Sequence, residues 1–186
     1  MDFAAKFRIG HSYDEFLARY ATEEQKRRWD AVHAEVQLTE AQRALLRGFV
    51  REMKVLVVSG AWCGDCIEQL PIFAHFAAEN PKIHIQYFDR DDHPDLADAL
   101  SICGGRRVPS VLFLSEDNFP CGRAGDRTLA RYRHIAASQL GAACSTGISP
   151  PGGELLTQVT QDWLGEFERI QLMLRTSGRL RQLHGD

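Results

Sequence analysis

The chain has 186 residues, 44% hydrophobic and 25% charged, with 15 Gly and 7 Pro, a balance that fits one globular domain with an elaboration and excludes disorder, collagen and a coiled-coil rod. Its 22 basic and 25 acidic side chains leave a formal net charge of −3, which provides no field to hold a polyanion, so nucleic acid is not an expected partner. Met1-Asp2-Phe3-Ala4-Ala5-Lys6-Phe7-Arg8 is interrupted by charge, and no later stretch approaches the roughly 18 apolar residues of a membrane span, so a cytoplasmic protein without membrane contact is expected.

The N-terminal part reads as helical. Residues 12–21 and 23–37 carry apolar positions three or four apart (Phe16, Leu17 and Tyr20, then Trp29, Val32 and Val36), with Ser12 and Thr22 as N-caps. Thr39, with Gln42 three residues on, opens a third helix whose buried stripe is expected to run through Leu45, Leu46, Phe49, Val50 and Met53. The period changes at Lys54. Val55-Leu56-Val57-Val58 is a mostly β-branched run bounded by Gly60, the pattern of a strand buried on both faces. A helix over 66–79 and an alternating strand Ile83–Phe88 complete a β-α-β unit, and Asp92-His93-Pro94 starts a short helix reaching Ser101. Val111–Leu114 is a third strand, turned by Glu116-Asp117-Asn118 into a short antiparallel partner over 120–124. A helix over about 127–140 follows Gly125, and the Gly- and Pro-rich stretch 141–153 reads as a loop. Beyond it, Leu155, Val159, Trp163, Phe167, Ile170 and Leu174 form the apolar face of one long helix that docks on its own domain. Arg175, Arg179, Arg181, Leu183 and His184 make a basic tail expected to be solvated.

Five cysteines (Cys63, Cys66, Cys103, Cys121 and Cys144) form an odd set without a secretion signal, which argues against a structural disulfide framework. Only Cys63 and Cys66 are close in sequence. The strand at 55–58 runs through Ser59-Gly60-Ala61 into Trp62-Cys63-Gly64-Asp65-Cys66, where a helix begins. A thiol at the first turn of a helix meets unpaired backbone N–H groups and the positive end of the macrodipole, so its thiolate is favoured. Cys63 is that thiol. Two intervening residues bring Cys66 about one turn along, where it can attack a mixed disulfide and release the product, while Gly64 leaves room for a substrate chain.

The same spacing also fits half of a zinc site or a purely structural pair. Zinc needs a second Cys-x-x-Cys or Cys-x-x-His, and His75, His84 and His93 fall on different expected elements, so dithiol redox chemistry leads and no metal is expected. Asp89, Asp91 and Asp92 are explained by a strand-end turn before a helix N-terminus. Cys103 is expected to be a buried inert thiol, Arg106 and Arg107 exposed loop charges, and Trp62 a packing and lid residue beside the cysteines.

Trp62-Cys63-Gly64-Asp65-Cys66 after a buried strand, with Arg107-Val108-Pro109 before another, resembles the thioredoxin-like superfamily over about residues 54–140. The resemblance implies an α/β fold, a three-layer α/β/α arrangement around a mixed four-stranded sheet, here with extra N-terminal helices and a long C-terminal helix. The division it implies is a helical extension over 1–53, a core over 54–140, and a loop with the C-terminal helix over 141–186. By resemblance Pro109 follows a cis peptide bond against the cysteines, the Val108 backbone pairs with bound substrate, and Gly125 matches a glycine before the last family helix. The chain departs from typical thioredoxins in three ways. Asp65 replaces a Pro between the cysteines and, by Coulomb repulsion, opposes the Cys63 thiolate. Val57 stands six residues before Cys63, where a buried Asp serves as proton acceptor in typical thioredoxins, so Asp65 or water would have to serve. The helical additions replace the usual first strand and alter the partner surface.

The expected activity is thiol-disulfide oxidoreduction on protein or small-molecule disulfides through catalytic Cys63 and Cys66. Trp62, Gly64, Asp65, Val108 and Pro109 would bind substrate, a reductase or low-molecular-weight thiol would supply electrons, and no cofactor is required. The alternative is a thioredoxin-fold binding or redox-sensing module without efficient turnover.

Overall fold

The computed structural model describes residues 1–139 and 155–186; Cys144 and the loop expected over 141–153 lie outside the described residues. In chain order these form α1 (Phe3–Arg8), α2 (Tyr13–Tyr20), α3 (Glu23–Glu35), α4 (Glu40–Arg47), β1 (Met53–Ser59), α5 (Gly64–Glu79), β2 (Ile83–Asp89), α6 (Pro94–Ala99), β3 (Ser110–Ser115), β4 (Pro120–Gly125), α7 (Leu129–Gln139), α8 (Leu155–Thr176) and α9 (Gly178–His184). No helix of the described residues is long and apolar enough to cross a membrane.

The strands form one mixed sheet in the order β2-β1-β3-β4. β1 pairs parallel with β2 across the α5 crossover and antiparallel with β3, and β3 pairs antiparallel with β4. Val55, Leu56, Val57 and Val58 are all fully buried, as a central strand covered by helices on both faces requires. Phe167 of α8 meets Phe73 and Phe76 of α5 and Phe113 of β3 at ring-centroid distances of 5.1, 5.2 and 5.2 Å. The long C-terminal helix is therefore part of the core. The outer edge of β2 is blunted by the N-terminal segment, where the Tyr87 backbone exchanges hydrogen bonds of 3.0 and 2.8 Å with that of His11.

Ser12, Thr22 and Thr39 each close a capping box with Glu15, Gln25 and Gln42. Such caps typically contribute about 1 kcal/mol each, and they are why short amphipathic pieces become helices here.

The helix expected to continue through Met53 stops at Arg47. Gly48 caps it, Val50 is 53% exposed, and Met53 opens β1 instead. Distant side chains hold this stop: Asn80 donates to the Leu46 and Phe49 carbonyls, and Gln171 of α8 bonds both the N–H and the C=O of Arg51. The apolar stripe read as one helix is thus split between helix, turn and strand. The basic tail is also structured. α9 starts on Ser177, buries Leu180, and ties Arg179 to Asp117 and His184 to Glu116, while Arg175 pairs with Asp186. α1 was legible in no apolar period.

Candidate active site

The strand-to-helix turn after β1 places both cysteines. Cys63 occupies the N-cap of α5 in extended conformation, with no capping side-chain hydrogen bond, at the positive end of the helix. The Cys66 thiol, hydrogen-bonding to it, is the largest influence; the backbone N–H groups of Cys66 and Asp65 add to it, while burial and the Asp65 charge oppose. The outcome is a Cys63 thiol pushed down to about 7. Cys66 is its opposite: 0% exposed, and pushed well up first by burial and then by its neighbour Cys63. Both cysteines are free thiols, and Cys63 is partly accessible.

The loop before the cysteines is held by the N-terminal helices. Trp29 of α3, itself buried, donates its indole N–H to the Ala61 carbonyl at 2.9 Å. Trp62 is 46% exposed, its ring lies against Gly60, where a Cβ would approach it to 2.7 Å, and the Arg90 guanidinium sits 4.6 Å from its centroid. Gly64 has open space around its missing side chain. On the facing loop, the Val108–Pro109 peptide is cis and the Val108 carbonyl accepts from Cys63 Sγ at 3.5 Å.

A chain of charges joins the three loops around Cys63. Asp65 pairs with Arg127 at 2.6 Å and with Arg131 at 3.3 Å. Arg127 also lies 3.6 Å from Asp126, which pairs with Arg107 at 3.1 Å, one residue before Val108. Asp126 is 3% exposed; burial opposes its ionisation, yet hydrogen bonds from Tyr132 and Arg107 outweigh this and hold the carboxyl below its usual range. Its backbone carbonyl accepts from Gln69 of α5, which in turn accepts from the Trp163 indole of α8.

This arrangement revises some expectations. Asp65 does oppose the Cys63 thiolate, but it is the last of the main influences, and its carboxylate is paired with two guanidinium groups. Its carboxylate is ion-paired with those arginines, which makes it a weaker proton acceptor than a free carboxylate. Arg106 and Arg107 are exposed, as expected, and pair with Asp98 and Asp126. Cys103, expected to be buried, is exposed, with φ 50, because it sits in the tight turn closed by the Ile102 and Gly105 backbones. Asp89 does serve the strand-end turn, accepting from the Asp91 and Asp92 N–H groups at 2.9 and 3.3 Å. Ser59, Gln69, Asp126, Arg127 and Arg131 border the site without having been singled out in the sequence; Gln69, Arg127 and Arg131 meet partners more than fifty positions away.

A thioredoxin family model matches residues 10–128. The chain belongs to the thioredoxin family. No curated protein matches the sequence. Among solved structures, a Pseudomonas aeruginosa protein of unknown function aligns over 91% of this chain and 96% of its own, at 20% identity and a TM-score of 0.72. An HIV epitope-scaffold covers 100% of this chain and 99% of its own, at 19% identity and a TM-score of 0.63. Mitochondrial thioredoxin 3 of Saccharomyces cerevisiae, in its oxidized form, covers 50% of this chain and 86% of its own, at 20% identity and a TM-score of 0.35. At such identities the likeness to the first two is one of fold, and it extends over the helical additions as well as the thioredoxin core.

Within this thioredoxin-fold site, Asp65→Asn removes the carboxylate and leaves Arg127 and Arg131 without it. Both changes favour negative charge at Cys63, so its thiol should titrate below its present value of about 7. Alkylation by iodoacetamide at pH 6 should speed up about two- to threefold, as for a downward shift of roughly half a unit. Slower alkylation would refute this electrostatic account.

Proposed function

We propose that this thioredoxin-family chain is a thiol-disulfide oxidoreductase that reduces protein or small-molecule disulfides in the cytoplasm, with Cys63 as nucleophile and Cys66 as resolving thiol. The observation that carries the reading is the asymmetry of the pair: an accessible thiol near pKa 7 at a helix N-terminus, and a fully buried one pushed up beside it. A nucleophilic thiol works best when its pKa is near ambient pH, because thiolate fraction and intrinsic nucleophilicity then balance.

The exposed face of Trp62, the open approach at Gly64, the ion-paired Asp65, and the Val108 carbonyl with Pro109 form the surface a disulfide would meet. A backbone carbonyl 3.5 Å from the nucleophilic sulfur offers a substrate chain an acceptor beside the reacting bond. Electrons would return from a reductase or low-molecular-weight thiol, without a bound organic cofactor.

With dithiothreitol as donor, the protein is expected to accelerate insulin reduction, with a rate that rises with pH and reaches half its maximum at about the Cys63 value of 7. The Cys63→Ser/Cys66→Ser double variant should fall to background. A wild-type rate no greater than that of the double variant would turn the assignment to a binding or redox-sensing module.

A further inference from the structure

Cys66 poses a chemical difficulty that the rest of the site leaves open. To resolve a mixed disulfide it must become a thiolate, yet it is 0% exposed and its charged form is penalised by burial. Val57, on the strand beneath, is apolar and fully buried, and Asp65 is held by Arg127 and Arg131. The nearest acid in sheet register is Asp89, which pairs with Ser59 across β1 and β2; its Oδ1 is committed to the Asp91 and Asp92 N–H groups.

One buried group near Cys66 is uncommitted. Ser59, the last residue of β1, is fully buried, and its hydroxyl has no hydrogen-bond partner. Its backbone is fixed, with its carbonyl accepting from the Arg90 N–H at 2.9 Å. A buried hydroxyl without a partner is uncommon in folded proteins and is disfavoured unless something offsets it. Together with the Gly60 N–H, the Ser59 hydroxyl is what favours negative charge on the Cys66 sulfur; the Cys63 thiol is the titratable group that acts against it.

We infer that the Ser59 hydroxyl stabilises the Cys66 thiolate during resolution of the mixed disulfide, taking the place of a buried carboxylate. This rests on the oxidoreductase reading and names the group that makes its second step possible. In the first step the Cys63 thiolate attacks R–S–S–R′, forming Cys63–S–S–R and releasing R′–S⁻. The Cys66 proton passes to that departing thiolate to give R′–SH. Cys66–S⁻ then attacks the Cys63 sulfur, forming Cys63–S–S–Cys66 and expelling R–S⁻. Two electrons move from the cysteine pair to the substrate disulfide. Ser59 keeps its proton throughout; a hydroxyl cannot act as the base at this pH, but it donates to sulfur as charge builds there, and a donor waiting without a partner loses no other bond in doing so.

The test is Ser59→Ala, followed by rapid quenching of the reaction with a chromogenic aromatic disulfide. Formation of the mixed disulfide should proceed at the wild-type rate, since Cys63 is untouched. Its resolution at pH 7 should slow by about tenfold or more, the fold-change equivalent of a charge-assisted hydrogen bond, so that the mixed disulfide accumulates. At high pH, where Cys66 ionises without help, the two proteins should converge. The melting temperature should hold or rise, because the variant deletes an unsatisfied buried hydroxyl. Wild-type resolution rates across the pH range overturn the inference, as does a slowing that is the same at every pH, which marks a structural effect. If wild-type protein forms no mixed disulfide at all, the oxidoreductase reading itself fails.

Discussion

Cys66→Ser should convert a transient mixed disulfide into one that survives on a non-reducing gel. Cys63 can still attack, since its exposure and the backbone N–H groups of Asp65 and residue 66 remain, although loss of the Cys66 thiol removes the largest influence holding Cys63 near 7. Trapping is therefore expected to be nearly complete but slower at pH 7 than the wild-type first step, and faster at pH 8. Cys63→Ser should trap essentially nothing, because the remaining thiol is buried and pushed well up. Equal trapping by both variants, or trapping only by Cys63→Ser, would reverse the roles. Trapping that depends on Cys103 would implicate the exposed thiol of the Ile102–Gly105 turn instead.

Gly125→Ala should damage stability and the site together. Gly125 adopts φ +114 at the end of β4, opposite Ser110, and a Cβ there would lie 2.3 Å from the Pro109 carbonyl oxygen and 3.2 Å from the Ser110 Cα. These are backbone atoms with no rotamer to change. The positive φ and the overlap each cost on the order of 1–3 kcal/mol, so a total loss of about 3–5 kcal/mol is expected in urea unfolding. That is a large fraction of the stability of an ordinary domain. Relief by shifting the Val108–Pro109 loop would move the Val108 carbonyl away from Cys63, so turnover should fall more than the folded fraction does. A variant with wild-type unfolding midpoint and turnover would show that the two loops are not packed as tightly as these distances require.

Much of the fold is written in local patterns. The three capping boxes mark where α2, α3 and α4 begin, and the run Val55–Val58 marks the central strand, because capping and strand burial depend on residues within a few positions of one another. The same holds for the reactive thiol: Cys63 at the start of a helix follows from a strand, a glycine and two cysteines in sequence. The environment of that thiol is another matter. Asp65 alone reads as a repulsive charge, and only the fold brings Arg127 and Arg131, more than sixty residues away, to pair with it. Ser59 is ordinary in the sequence and becomes distinctive when its hydroxyl proves buried, unpartnered and beside Cys66.

The end of α4 shows the same division from the structural side. Leu45, Leu46, Phe49, Val50 and Met53 have helical spacing, but Gly48 supplies a stop and Asn80 and Gln171 bond the carbonyls and N–H that a longer helix would have used itself. Periodicity reports which side chains are apolar; it cannot report which distant polar group competes for the backbone. The sequence by itself therefore determined the order of elements from α2 through α8, the buried strand and the paired thiols, since each depends on neighbours along the chain. Tertiary structure alone decided where α4 stops, that the basic tail folds as α9, how the charge on Asp65 is balanced, and what surrounds Cys66, because those outcomes depend on groups that meet only when the sheet and its helices pack.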